Sequence, residues 1–187
     1  MVATPEVNRY LPFSHWPNID SLTSFLGMRN LETWVVVPIV DSVERGERPL
    51  TAGIVALISD HPNLATEMGI ILLPEWHRTF VSTHAVGVLL RHCFEPIDQG
   101  GRALRRVEWR TSVRNEGSAR LAKRMGFQQE GILRWLLVLP AGKIGEHRTG
   151  KEEELPGRHT IILSVCWDDW ESEAFQQEFQ RQMLRST

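Results

Sequence analysis

An amide, a hydroxyl and a glycine follow one another at short spacing near the middle of the chain. Asn115 precedes a short basic segment, Ser118 lies three residues later, and Gly126 closes the segment. Asparagine is a good N-cap, so the pattern predicts a helix over residues 116–125 with the Ser118 hydroxyl near its mouth. Gly126 is the expected left-handed residue that ends this helix. Polar groups gathered at such a turn can build a cofactor cleft.

The elements on either side must position these groups. Val107, Trp109 and Thr111 alternate with charged residues, which is the period of a half-buried strand. A second apolar run, 132–139, follows the helix and is predicted to be another strand. The order strand, helix, strand therefore places Asn115 and Ser118 at one end of a sheet.

This segment resembles the late motif of the GCN5-related N-acetyltransferase (GNAT) superfamily. Within that superfamily it is most similar to the branch of the ribosomal-protein N-terminal acetyltransferases. The residues that carry the resemblance are Asn115, Ser118, Gly126, Phe127, Glu130 and Gly131. Their joint spacing is more specific than any one of them alone.

The upstream half also resembles the family. Residues 66–74 are similar to the splayed central strand of that branch, in which a Glu and a Gly precede an apolar run. Thr83 and Ala85 fall where the family opens its pyrophosphate-binding helix. Arg78 and Phe80 stand where most members have glycines, which allow the backbone to approach phosphate closely. Helix N–H groups, however, are available from any residue type.

The resemblance implies an acetyl-CoA-dependent N-acetyltransferase, with acetyl-CoA as co-substrate. The acceptor would be a primary amine of a small molecule or of a peptide N-terminus. Glu67 is the candidate base for the amine proton, and the alternative is a solvated glutamate at a strand end. Ser118 is the candidate proton donor to the departing thiolate, and the alternative is a local bond to the helix backbone. Asn115 is expected to be a cofactor ligand and a cap.

The same resemblance implies where the rest of the cofactor binds. Backbone groups of Ile71 and Leu72 are expected to meet the pantetheine. Backbone N–H groups and hydroxyls of one stretch are expected to hold the pyrophosphate: Arg78, Thr79, Phe80, Val81, Ser82 and Thr83. The alternative for this stretch is an ordinary Ser/Thr-rich helix start.

Composition limits the other classes of function. The net charge of −2 and a pI near 6.4 do not favour nucleic acid or an anionic membrane as a partner. The basic residues Arg105, Arg106 and Arg110 are expected at a solvated strand edge. No run is long enough to span a bilayer and no signal peptide is evident, so a soluble cytoplasmic protein is expected. Cys93 and Cys166 are predicted to be buried free thiols.

No metal site is expected. His77 and His84 lie seven residues apart, and no cluster of further ligands accompanies them.

The chain length fits one GNAT-like domain of the α/β (α+β) class over residues 1–187, and the order of strands and helices predicts a mixed, mostly antiparallel sheet flanked by helices. The predicted helices are 19–30, 81–95, 116–125 and one amphipathic C-terminal helix over 168–185. The last is capped by Asp168 or Asp169, with Trp170, Phe175, Phe179 and Met183 on its apolar side. The predicted strands are 33–40, 51–59, 66–73, 107–111, 132–139 and 160–166, the first two forming a hairpin. Residues 140–157 are expected to form a polar hairpin loop.

The resemblance covers about residues 5–170, and Tyr10-Leu11-Pro12 matches a segment that a strand and a helix usually precede. The usual first strand therefore looks missing, which leaves the edge at residues 33–40 without a neighbour. Unpaired apolar edges invite pairing with another chain, so a homodimer is expected. The alternative is that residues 1–18 fold back over this edge, but their three prolines make them poor donors to a strand ladder.

Two other functions stay open. One is a protein of the same fold whose cofactor site is eroded at Arg78 and Phe80 and whose cleft serves other chemistry. The other is a non-enzymatic module that binds acyl-CoA or a protein partner.

Overall fold

One six-stranded sheet organises the molecule. The computed structural model describes residues 7, 9–12, 27, 30–38 and 51–185, and in them the strand order is β1-β2-β3-β4-β6-β5. The strands are β1 (Leu31–Val36), β2 (Gly53–Asp60), β3 (Ala65–Leu72), β4 (Arg106–Ser112), β5 (Gln128–Val138) and β6 (Gly157–Cys166). Every neighbouring pair is antiparallel except β3 and β4. The expected mixed, mostly antiparallel sheet is confirmed, including the β1–β2 hairpin.

Four α-helices accompany the sheet in the described residues. They are α1 (Phe80–Phe94), α2 (Glu116–Arg124), α3 (Trp167–Glu171) and α4 (Glu173–Met183). The predicted helix over 19–30 lies outside the described residues apart from 27 and 30, and the polar stretch 41–49 lies wholly outside them. In the described part of the chain, every helix is too short or too polar to cross a lipid bilayer.

The core lies between the sheet and helices α1, α2 and α4. Leu57, Leu90, Val107 and Leu163 are completely buried there, and Phe179 of α4 joins them. Val88 in the middle of α1 is 60% exposed, so it does not belong to the packed face of the helix. The face that packs is turned toward Val86, Leu89, Leu90 and Cys93 instead.

The two faces of the sheet differ in polarity. Val107 and Trp109 of β4 point into the core, and because side chains alternate along a strand, Arg106, Glu108 and Arg110 lie on the opposite face. β4 pairs with β3 on one side and β6 on the other. The expectation that Arg106 and Arg110 lie at a solvated strand edge is therefore wrong, since they line the face of an interior strand.

The C-terminal segment is two helices, so the single predicted helix is wrong. Ser172 adopts an extended conformation between them, and its hydroxyl accepts a hydrogen bond from Phe175 N. This makes Ser172 the N-cap of α4, a role for which serine is well suited. The Asp169 carboxylate accepts from Cys166 N and caps α3. Phe175 and Phe179 pack on the core as expected.

Both cysteines are free thiols. Cys93 is fully buried, and burial raises the pKa of its thiol to about 12. Cys166 is half-buried, with its sulfur 3.9 Å from Arg106 Nη1, so the expectation of burial holds for Cys93 only.

Candidate active site

The sheet opens between its two parallel strands. β3 and β4 pair at Ala65–Arg106, Thr66–Val107 and Glu67–Glu108, and the pairing then stops. β3 nevertheless continues to Leu72 and β4 to Ser112. Beyond Glu67, the backbone of β3 thus has no ladder partner in β4. Unpaired strand backbone of this kind can accept an extended ligand as an added strand.

Ile71 and Leu72, to which the resemblance assigns pantetheine contacts, lie on the part of β3 that has no partner in β4. Ile71 is half-buried and Leu72 is buried at 7% exposure. The Leu72 carbonyl oxygen lies 3.1 Å from His77 Nε2, so one of its lone pairs is already engaged. Ile71 pairs with Ile54 of β2 in the ladder on the other side of β3.

Asn115 and Ser118 form one hydrogen-bonded unit at the start of α2. The Asn115 side-chain oxygen accepts from Ser118 N at 3.2 Å, which confirms the predicted cap. The Ser118 hydroxyl accepts from Trp109 Nε1 at 2.9 Å. Because this bond uses a lone pair of the hydroxyl, the Ser118 proton can still be donated to a ligand. Sequence reasoning missed Trp109 in this role and saw it only as part of the alternation of a half-buried strand.

Gly126 ends α2 as predicted. Its φ of +90° lies in the left-handed region that favours glycine. A Cβ at this position would also come within 2.2 Å of the Phe175 ring. The residue therefore serves both the helix end and the packing of α4 beneath it.

The turn before α1 keeps a glycine-like backbone without a glycine. Arg78 has a φ of +63°, one of few non-glycine residues in the described chain with a positive φ. Thr79 is the N-cap of α1, and its hydroxyl accepts from Val81 N at 3.3 Å. The Ser82 hydroxyl turns back to the Thr79 carbonyl. The backbone shape that glycine would give is thus reached by Arg78 at the expense of local strain.

Three arginines meet at this turn. A cavity of about 170 Å³ is lined by Arg78, Thr79, Phe80, Thr83, Arg124 and Arg185. Arg124 Nη2 donates to the buried Thr83 hydroxyl at 3.1 Å. Burial, and then the charge of Arg185, lower the pKa of Arg124. Cations held together at a helix N-terminus suit a ligand with several negative charges, such as a pyrophosphate.

Sequence reasoning placed Arg78 and Thr83 at this turn but missed Arg124 and Arg185. Arg124 belongs to the last turn of α2 and Arg185 follows α4, so only the tertiary fold brings them together. A larger cavity of about 280 Å³ lies on another side of Arg124, against Phe175 and Phe179. It contains none of the residues that the sequence assigned to the site.

Glu67 lies on the charged face of the sheet at the point where β3 and β4 separate. Its carboxylate is 3.4 Å from Arg110 Nε, and its side chain is 29% exposed. Burial raises the pKa of Glu67, although the Arg110 charge opposes that rise. A carboxylate with a raised pKa is a stronger base than an exposed glutamate, which suits a group that accepts a proton from an amine.

The charged residues next to Glu67 are held in a network of ion pairs. Arg106 binds Glu130 in a bidentate pair at 2.7 and 2.6 Å, and also contacts Glu108 at 2.9 Å. The hydrogen bond from Arg106 lowers the pKa of Glu130 to about 2. Burial alone would raise the pKa of Glu108, but bonds from Arg106 and Arg110 outweigh it and lower that pKa. Glu67 is thus the carboxylate of this group with the raised pKa.

Glu67 and Ser118 lie on opposite faces of the sheet. Thr66 is buried on the core face with Val107 and Trp109, and Ser118 contacts Trp109 from that side. Glu67 alternates with Thr66 and points the other way. The two predicted catalytic groups can approach one reaction centre only if that centre lies in the gap between β3 and β4.

One group of potential metal ligands lies together in the described residues: Cys166, Asp168 and Asp169. Asp169 is already used, since it caps α3 and accepts from Gln128 at 2.6 Å. His77 and His84 contribute no ligand to this group.

The sequence matches the acetyltransferase (GNAT) domain over residues 1–128, which is more than half of the chain. The chain belongs to this family. No curated protein sequence is significantly similar to this GNAT chain.

Solved GNAT structures share its fold. A GCN5-related N-acetyltransferase from Brucella melitensis is 24% identical, with a TM-score of 0.69 over 94% of this chain and 70% of that one. Spermidine N-acetyltransferase from Vibrio cholerae, solved with CoA and spermine, is 14% identical, with a TM-score of 0.67 over 90% of this chain and 87% of that one. At these identities the likeness shows the fold alone.

Proposed function

We propose that this GNAT chain transfers an acetyl group from acetyl-CoA to a primary amine of a small molecule or a peptide N-terminus. The observation that carries the proposal is the gap between β3 and β4. Arginines and a helix N-terminus lie at one end of this gap, and the half-buried carboxylate of Glu67 lies at its inner end. Within the family, the spacing of Asn115 and Ser118 supports the branch of the ribosomal-protein N-terminal acetyltransferases.

In this proposal, the pyrophosphate of acetyl-CoA binds to the cluster of Arg78, Arg124 and Arg185. The N–H groups in the first turn of α1, apart from that of Val81, which donates to Thr79, add donors to this cluster. The open edge of β3 then binds the pantetheine arm near Ile71 and Leu72, through the backbone groups that the ladder with β2 leaves unpaired. This ordering places the thioester near Glu67 and Ser118, where the strands separate.

Two side chains transfer protons in the proposed reaction. Glu67 accepts a proton from the amine, directly or through water, as the amine nitrogen bonds to the acetyl carbon. The carbon–sulfur bond then breaks, and Ser118 donates its proton to the leaving thiolate while it takes up a proton from solvent, to which Glu67 releases the proton of the amine. Trp109 holds Ser118 in place by donating to its oxygen rather than accepting its proton.

The test is acetyl transfer by the purified chain, followed as release of the CoA thiol, with a panel of amines and short peptides. Glu67→Gln should lower turnover by roughly a hundredfold or more while acetyl-CoA affinity is unchanged. Glu171→Gln is the matched control, since Glu171 is an exposed glutamate on α3.

Two outcomes would oppose the proposal. Wild-type turnover in Glu67→Gln would reduce Glu67 to a structural residue. Tight acetyl-CoA binding without transfer to any amine would favour a non-enzymatic acyl-CoA-binding module, and absence of both would favour a fold reused for other chemistry.

A further inference from the structure

A buried arginine without a partner lies on the same face as Glu67. Arg158 of β6 is only 8% exposed, and its Nε atom is buried without a hydrogen-bond partner. No ion pair joins it to another residue of the described chain. Burial lowers the pKa of its guanidinium, and Glu67 attracts it electrostatically. Burial of a cation without a bonded partner costs free energy, so an anionic ligand at this position would stabilise the folded protein.

A second unpartnered group lies two residues along the same strand. The Thr160 hydroxyl is buried, at 1% residue exposure, and lacks a partner. Thr160 pairs with Ser112, and Glu108 pairs with Ser164, so alternation puts Arg158 and Thr160 on the charged face with Glu108. Two orphan polar groups at neighbouring positions of one face indicate a built site rather than an isolated defect, because buried polar atoms are normally satisfied.

Space for a ligand lies beside Glu67. Gly69 follows Glu67 on the same face of β3, and a Cβ at Gly69 would meet no atom within 4 Å. Arg110, which contacts Glu67, adds a second positive charge to this region. The surroundings thus combine one carboxylate of raised basicity with two guanidinium groups.

We propose that the acceptor amine carries a carboxylate of its own, and that Arg158, assisted by Thr160, anchors this carboxylate beside Glu67. The acceptor class is then a small amino acid, with its amine directed to Glu67. Guanidinium groups bind carboxylates through two parallel hydrogen bonds, which fixes orientation as well as charge. A polyamine would instead bring further positive charge against Arg110 and Arg158. This inference rests on the proposed acetyl transfer and narrows its substrate.

The experiment compares matched acceptors that differ only in charge. Free amino acids and the corresponding carboxamides are assayed as acceptors, with rates corrected for the ionisation of each amine. Spermidine is added as a polycationic acceptor. The wild-type protein should prefer each acid to its amide by about 10- to 100-fold in kcat/KM, since a hydrogen-bonded charge is lost in the amide. Arg158→Gln should reduce this ratio to near 1, and Arg158→Lys should restore part of it.

Arg134→Gln is the matched control, because Arg134 is an exposed arginine on β5, and its acid-to-amide ratio should equal that of the wild type. Equal or better use of amides or spermidine by the wild-type protein would overturn the proposal while acetyl transfer itself stands. Such a result would mean that water satisfies Arg158.

A binding measurement tests the carboxylate anchor at Arg158 without the need for catalysis. N-acetyl amino acids and their N-acetyl amides are titrated into CoA-saturated protein by calorimetry. Tighter binding of the acids, lost in Arg158→Gln, supports the carboxylate anchor. Equal affinity of the two series contradicts it. If the acids bind more tightly but no amine is acetylated, the proposed catalytic function fails and the anchor remains.

Discussion

Replacement of Arg78 by glycine should move stability and cofactor affinity in opposite directions. Arg78 has a φ of +63° and an exposed side chain, so little packing would be lost. The left-handed conformation costs a non-glycine residue about 1–2 kcal/mol. Glycine removes this strain but gains about 0.5–1 kcal/mol of conformational entropy in the unfolded chain. The net gain in the free energy of unfolding should be about 0.5–1 kcal/mol, or roughly 1–4 °C in Tm.

Affinity should fall because the charge is removed while the backbone shape is kept. A hydrogen bond to a charged group contributes about 1.5–3 kcal/mol, and the exposure of Arg78 places the expected loss at the lower end of that range. Acetyl-CoA should therefore bind about tenfold more weakly to Arg78→Gly. Thermal unfolding gives the first quantity, and isothermal titration calorimetry gives the second.

Arg78→Ala separates the two effects, because alanine removes the charge but retains the strained conformation. Its acetyl-CoA affinity should match that of Arg78→Gly, whereas its Tm should not rise. Unchanged or tighter acetyl-CoA binding in both variants would refute the role of the Arg78 charge. A lower Tm in Arg78→Gly than in Arg78→Ala would refute the strain at this turn.

Three further outcomes are expected. Thr83→Glu should abolish acetyl-CoA binding by placing a carboxylate beside Arg124. Thr83→Val removes only the hydroxyl and should still bind acetyl-CoA. Equal acetyl-CoA affinities of these two variants would show that Thr83 is not part of the cofactor site. Because burial raises the pKa of Glu67, kcat/KM should increase with pH through a pKa above that of an ordinary glutamate, provided that the amine itself does not titrate in the same range. Glu67→Gln should lack this increase. Apolar residues of the edge strand β1, such as Val35 at 61% exposure, should support a homodimer. Val35→Lys should therefore give a monomer of 21.4 kDa in light scattering, whereas Val138→Lys on the other edge strand, β5, should leave the dimer intact. A monomeric wild-type protein would contradict this prediction.

Local chemistry made the helix starts and ends predictable from sequence. Asn115 bonds to Ser118 N three residues away, and Gly126 takes a left-handed conformation at the end of α2, so both features depend only on near neighbours. The β1–β2 hairpin and the order of strands and helices were predictable for the same reason. The break at Ser172 was missed because Phe175 and Phe179 continue the apolar pattern across it.

The electrostatic part of the site could not be predicted in this way. Arg124, Arg158 and Arg185 acquire their roles from residues far away in the chain, and each looks like an ordinary surface arginine in sequence. The raised pKa of Glu67 also depends on its burial in the folded protein. Sequence reasoning proposed Glu67 through family resemblance, and only the folded sheet showed that it lies opposite Ser118.

The central proposal is that the gap between β3 and β4 binds acetyl-CoA, and calorimetric titration of the purified chain with acetyl-CoA tests it most directly. Saturable binding of one acetyl-CoA per chain is predicted, weakened about tenfold by Arg78→Ala. Absence of heat from binding at millimolar acetyl-CoA would contradict the proposal.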